Sequence, residues 1–186
     1  PLRPSTLTPE DISSHPVLAT SVITSATGNF GYIMFNTFSP FSSEEAIILA
    51  MQTMQSAGVS DLVLDMRYNG GGLLAVASQV AYMIAGPSRT SGAAFEQLVF
   101  NAGAGTVNPV TGARNDPIPF YNEVLGFDSG SSLSTGASLP ALNLNRVFIL
   151  STGRTCSASE AVINGLRGVD VEVVLIGNTT CGKPYG

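Results

Sequence analysis

The sequence predicts an α/β domain built on a largely parallel sheet. Three observations carry this expectation. Apolar, strand-like runs alternate with segments of helical spacing. Three of the strands run into loops rich in Gly, Asn, Ser or Thr. A chain of 186 residues with 44% hydrophobic and only 11% charged residues suits one packed domain, not a disordered or fibrous chain.

The elements follow in order. Residues 1–20 are rich in Pro and Ser and read as an N-terminal arm or linker, with the core of the domain over 21–186. Ser21 to Phe38 alternate in character, and Thr27-Gly28-Asn29 interrupts them, so a hairpin or two short strands is expected. Ser42 and Ser43 should cap a helix whose first turn holds Glu44 and Glu45. Ile47, Ile48, Met51 and Met54 recur on one face, and Gly58 stands where a helix ends. Asp61 to Met66 read as a short buried strand, broken by Asn69-Gly70-Gly71-Gly72. A second helix spans Leu73 to Ala85 and stops at Gly86-Pro87.

Residues 87–143 are loop-rich, with Asn108-Pro109 and Asp116-Pro117 as turn signals and one expected strand from Phe95 to Phe100. Insertions of this kind serve as binding loops or lids, and composition does not choose between them. Order returns in the strand Val147 to Leu150, the helix Ser157 to Leu166 and the strand Val171 to Ile176.

Charge and cysteine content exclude several functions. Eight Lys and Arg residues and a net charge of −5 leave no basic face for nucleic acid. No apolar run is long enough to span a bilayer. The start, Pro1-Leu2-Arg3-Pro4, lacks the form of a signal peptide, and the chain reads as a fragment whose core is truncated at its C-terminal side. Cys156 and Cys181 with His15 do not make a zinc site, so neither metal nor cofactor is expected. The two cysteines lie in loops that should meet, and a disulfide between them stays open because the side-chain directions are not fixed by sequence.

In α/β sheets, chemistry gathers at the carboxyl ends of strands. Three loops stand there: Asp65 to Gly72, Thr152 to Glu160, and Gly177 to Lys183. Ser157 opens a helix, where free N–H groups favour an oxyanion. A serine needs a base, and Lys183, 26 residues on, can serve if burial favours its neutral form. Consecutive glycines let backbone amides approach a substrate, which makes the amides of Gly71 and Ala158 the expected oxyanion pair. Gly70, Gly72, Asn69 and Arg67 are expected to support this loop or touch substrate, with Asp65 and Arg67 bracing it as a pair.

Plainer readings stand beside these. Ser157 and Glu160 fit a capping box, with Glu160 structural. Gly177 to Lys183 fits a phosphate-binding loop, but Pro184 occupies the place of the magnesium-binding hydroxyl. His15, beside Pro16, is expected to be exposed.

The same three loops resemble peptidase family S41, the C-terminal-processing and tail-specific proteases. Asp65-Met66-Arg67-Tyr68-Asn69-Gly70-Gly71-Gly72, Ser157-Ala158-Ser159-Glu160 and Gly177-Asn178-Thr179-Thr180-Cys181-Gly182-Lys183 are similar to its three motifs in order, and Gly31-Tyr32-Ile33 resembles its leading strand. The resemblance implies a ClpP/crotonase-like ββα superhelix. It implies Ser157 as nucleophile, Lys183 as general base, the Gly71 and Ala158 amides as oxyanion hole, and unfolded or C-terminal polypeptide segments as substrate. It also implies a periplasmic, envelope-anchored or secreted location. Cys156 and Asn178 depart from the family pattern, and the family's third catalytic position would fall at 187. A catalytically silent peptide- or ligand-binding relative is the alternative.

Overall fold

A computed structural model describes residues 14–183 apart from positions 104 and 109. Most of the expected arm, part of the Asn108-Pro109 turn and Pro184 lie outside the described residues. The order of elements is β1 (Val17–Ser25), β2 (Gly28–Phe35), α1 (Ser43–Ser56), β3 (Val59–Asp65), α2 (Leu74–Ala85), α3 (Pro87–Thr90), β4 (Ala94–Glu96), β5 (Ile118–Pro119), β6 (Arg146–Ser151), α4 (Ala158–Gly168) and β7 (Glu172–Gly177).

The main sheet has the order β1-β2-β3-β6-β7. β1 and β2 form the expected hairpin, and every other pairing is parallel. β1 starts at Val17, so its first four residues belong to the sheet and not to an arm. Alternation places Ile33 and Phe35, Leu62 and Leu64, and Val147 and Ile149 on one face, all buried. Against them pack Ile47, Ile48, Met51 and Met54 of α1 and Val76, Val80, Met83 and Ile84 of α2. On the opposite face Tyr32, Val63, Phe148 and Leu150 are only half-buried, while Asp65 is fully buried. Among the described residues no helix is long and apolar enough to cross a membrane.

Gly58 ends α1 as expected, in a left-handed conformation with φ +59°. The capping of α1 differs from expectation. Ser42 makes no side-chain cap bond, and the Ser43 hydroxyl donates instead to the Phe38 carbonyl at 3.1 Å. Glu44 also has another task. It is buried, and its carboxylate accepts from Gln79 Nε2 at 2.6 Å and from the amides of Leu125, Gly126 and Phe127 at 2.6, 3.0 and 3.1 Å.

That contact explains how the long insertion is held. Ser78 donates to the Pro119 carbonyl and accepts from the Tyr121 amide, and the amides of Leu142 and Leu144 donate to α2 carbonyls. Phe120, Val124, Leu139 and Leu144 join the core. The second half of the insertion is thus a strap over α1 and α2. The strand expected at Phe95 to Phe100 shrinks to Ala94–Glu96, paired only with the two residues of β5. Beyond Glu96 no strand lies alongside, and Val99 is 87% exposed.

Candidate active site

β3, β6 and β7 run parallel, so the loops leaving them emerge at one edge of the sheet. Side chains then weld the three loops together. Asn69 is fully buried and holds the first two. Its Nδ2 donates to the Phe35 carbonyl at 3.0 Å, and its own carbonyl accepts from the Cys156 amide and the Ser159 hydroxyl at 3.1 and 3.0 Å. The Thr155 hydroxyl adds a bond to the Met66 carbonyl at 2.8 Å. Asp65 and Arg67 brace the first loop as expected: Nε and Nη2 of Arg67 reach the carboxylate at 2.9 and 2.7 Å. The Tyr32 hydroxyl also donates to it, at 2.8 Å. Burial pushes the Asp65 carboxyl up, but these donors outweigh burial and hold it below the usual range.

Ser157 occupies the turn between β6 and α4 with φ +58° and ψ −116°. A non-glycine residue in that region is strained, and such strain persists only where surrounding contacts fix it. Here the following turn supplies them. The carbonyl of Ser157 accepts from the amides of Glu160 and Ala161 at 2.8 and 2.9 Å. The Ser157 amide donates to Glu160 Oε2 at 2.9 Å, so the expected Glu160 half of a capping box is present. With the Ser159 amide given to the Cys156 carbonyl, the Ala158 N–H is the one at this helix start for which no acceptor exists among the described residues.

Gly71 lies directly against Ser157. A Cβ at Gly71 would stand 2.7 Å from the Ser157 Cβ and 3.0 Å from the Ala158 nitrogen, and φ is +103°. Only glycine permits this approach. The Gly71 N–H itself donates to Asn69 Oδ1 at 3.0 Å, so in this state it is engaged. The Gly71 carbonyl accepts from the Phe38 amide at 2.9 Å. Gly72 packs so closely on Phe38 that a Cβ would sit 2.4 Å from the Phe38 carbonyl carbon, which makes it a packing residue. Gly70 is exposed and open on its Cβ side.

Glu160 was expected to be structural, and it is, but at the third loop as well. Its carboxylate accepts from the Thr180 hydroxyl at 2.7 Å and from the amides of Gly182 and Lys183 at 2.7 and 3.1 Å. Burial pushes this carboxyl up, yet the Thr180 hydroxyl and the three amides dominate and hold it below the ordinary range. Cys156 and Cys181 are joined in a disulfide with Cα atoms 5.2 Å apart, which closes the question left by the sequence. Cys156, Glu160 and Cys181 converge as metal ligands do, but the disulfide takes both sulfurs out of that role.

Ser157 and Lys183 both line one cleft of about 600 Å3. Leu74, Phe95, Leu98 and Ala161 give it apolar walls, and Glu96 and Glu160 line it too. His15 is exposed, as expected. Sequence reasoning missed two residues of this cleft. Glu96 carried no motif, and the signal for Glu160 was its place three residues after Ser157, which pointed to capping alone.

Among curated proteins no sequence matches significantly. Among solved structures, one described as an S41 protease from Bacteroides fragilis is similar, with 28% identity and a TM-score of 0.72. The alignment covers 94% of this chain and 41% of that one. A photosystem II D1 C-terminal processing protease shares the fold at 20% identity and a TM-score of 0.58, over 94% of this chain and 39% of that one. A structure described as a peptidase from Parabacteroides merdae does so at 20% identity and 0.50, over 88% and 44%. This chain therefore spans about two fifths of the length of these proteins. The family model described as Peptidase family S41 matches residues 29–185, and the chain belongs to that family.

Proposed function

We propose that the protein is a serine endopeptidase acting on unfolded or C-terminal polypeptide segments, with Ser157 as nucleophile and Lys183 as general base. The observation that carries this reading is the strained turn at Ser157, which faces a cleft shared with Lys183 and has the unengaged Ala158 N–H beside it. Ser157 Oγ attacks the scissile carbonyl carbon while its proton passes to Lys183 Nζ. A lysine accepts that proton only as the neutral amine, and Lys183 is exposed and not buried as the sequence reading requires. The carbonyl oxygen becomes an oxyanion held by the Ala158 N–H and by the Gly71 N–H, which leaves Asn69 Oδ1 to do so. Collapse breaks the C–N bond, and the proton on Lys183 goes to the leaving amine. Water then attacks the acyl-enzyme with Lys183 again as base, which regenerates Ser157.

The disulfide supports a periplasmic, envelope-anchored or secreted location, since such bonds persist outside the reducing cytosol. A fluorophosphonate probe tests the reading. Labelling at Ser157, lost in Ser157→Ala together with proteolysis, supports it. Proteolysis unchanged in Ser157→Ala overturns it in favour of another nucleophile, and an unlabelled Ser157 with no proteolysis overturns it in favour of a binding protein.

A further inference from the structure

Two carboxylates line the cleft among the described residues, and Glu96 is the one whose oxygens the surrounding donors do not occupy. It lies at the end of β4, and its Oε2 is buried without a hydrogen-bond partner among the described residues. None of the ion pairs among those residues includes it. Its neighbours along the cleft wall, Phe95 and Leu98, are apolar, as are Leu74 and Ala161 across it. A charge that is partly desolvated and uncompensated is costly, and a cation brought to its open side relieves the cost. Gln97, Asn164, Glu160 and Lys183 also line the cleft, and apolar side chains beside an acid with an unsatisfied oxygen fit a long side chain that has an aliphatic stem and a cationic head.

We propose that Glu96 is a specificity-determining residue, and that the cleft takes a lysine or arginine side chain of the polypeptide substrate next to the scissile bond. The proposal rests on the peptidase reading for its consequence in turnover, but the binding preference stands without it. Burial pushes the Glu96 carboxyl above its ordinary range, which is what an unpaired acid in such a wall shows. Glu160 does not compete for the cation, because Ser157, Thr180, Gly182 and Lys183 already occupy its oxygens.

The test uses the full-length protein and peptides built on a cleavage site mapped in an unfolded protein. One peptide carries lysine at the position nearest the scissile bond where basic residues are enriched, and its twin carries norleucine, which keeps the stem and removes the charge. The wild type should favour the lysine peptide in kcat/KM by roughly 10- to 100-fold, the usual worth of a hydrogen bond to a charged group. Glu96→Gln should erase that preference and leave the norleucine peptide within a few-fold. Equal handling of both peptides by the wild type, or an equal loss on both in Glu96→Gln, overturns the proposal; the second result would make Glu96 a partner of the catalytic groups. Fluorescence anisotropy with the Ser157→Ala variant measures binding of the same two peptides without turnover. If the wild type cuts nothing, the pair is built on an arbitrary unfolded sequence, and tighter binding of the lysine peptide, lost in Glu96→Gln, upholds the role of Glu96. Equal or absent binding of the two peptides overturns it.

Discussion

Glu160 and Glu96 line the same cleft and have opposite surroundings. Glu160 accepts from three amides and a hydroxyl, and its charge is held in place. Glu96 Oε2 is buried with no donor among the described residues. The first acid organises the site by joining the Ser157 turn to the Lys183 loop. The second leaves its charge available to a ligand. The difference teaches that hydrogen-bond saturation, more than position in the cleft, separates an acid that builds a site from one that can recognise something in it.

Breaking the saturated member should have the largest effect. Glu160→Ala leaves the amides of Ser157, Gly182 and Lys183 without their acceptor and frees the Lys183 loop to drift. A displacement near 1 Å between nucleophile and base costs about 10²-fold in turnover. We expect kcat to fall by about that factor with KM nearly unchanged, and Glu160→Gln to recover part of it. An unchanged kcat in Glu160→Ala would remove the latch from the account.

The disulfide backs the same latch by a covalent route. It closes a loop across a sequence separation of 25 residues. Closing such a loop stabilises by roughly 3 kcal/mol in the chain-entropy treatment. Replacing both Cys156 and Cys181 by alanine should lower Tm by roughly 6–12 °C for a domain of this size, as read by calorimetry. If Glu160 alone positions Lys183, activity below the new Tm will stay within a few-fold of wild type.

The smallest effect is in pH dependence, and it carries opposite signs for the two acids. The folded-state pKa of Glu160 is depressed, so its stabilisation is present above the ordinary carboxylate pKa and is lost as pH falls through the lower folded value. That of Glu96 is raised, so its charge costs stability above the raised value, and acidification towards the ordinary value removes the cost. Relative to wild type, Glu96→Gln should be more stable and Glu160→Gln less stable at neutrality, and the two should approach wild type from opposite sides as pH is lowered. Curves that move together would show that the two environments are alike in solution.

Much of the fold was legible because it rests on short-range pattern. The alternation in β2, the helical spacing of Ile47, Ile48, Met51 and Met54, and the stop at Gly58 all concern residues a few positions apart. The misread segments depend on distant partners. Phe95 to Phe100 has strand composition, but β5 offers only two residues to pair with it. Val17 to Thr20 sit in a Pro- and Ser-rich stretch, yet β2 runs alongside and recruits them. Glu44 reads as a first-turn charge, and only the fold brings Leu125, Gly126 and Phe127 to it from 81 to 83 residues away.

By itself the sequence determined the order of strands and helices, the glycines at Gly71 and Gly72, and the Ser157 turn, since periodicity, missing side chains and helix-start chemistry act locally. Tertiary structure decided the rest. It closed the Cys156–Cys181 bond, gave Glu160 a second set of donors, engaged the Gly71 amide with Asn69, and left Glu96 Oε2 without a hydrogen-bond partner among the described residues. The Gly71–Asn69 bond lies within one loop, but the others share a physical reason: a hydrogen bond or disulfide between separate loops depends on their meeting, and that meeting exists only once the parallel strands bring the loops to one edge of the sheet.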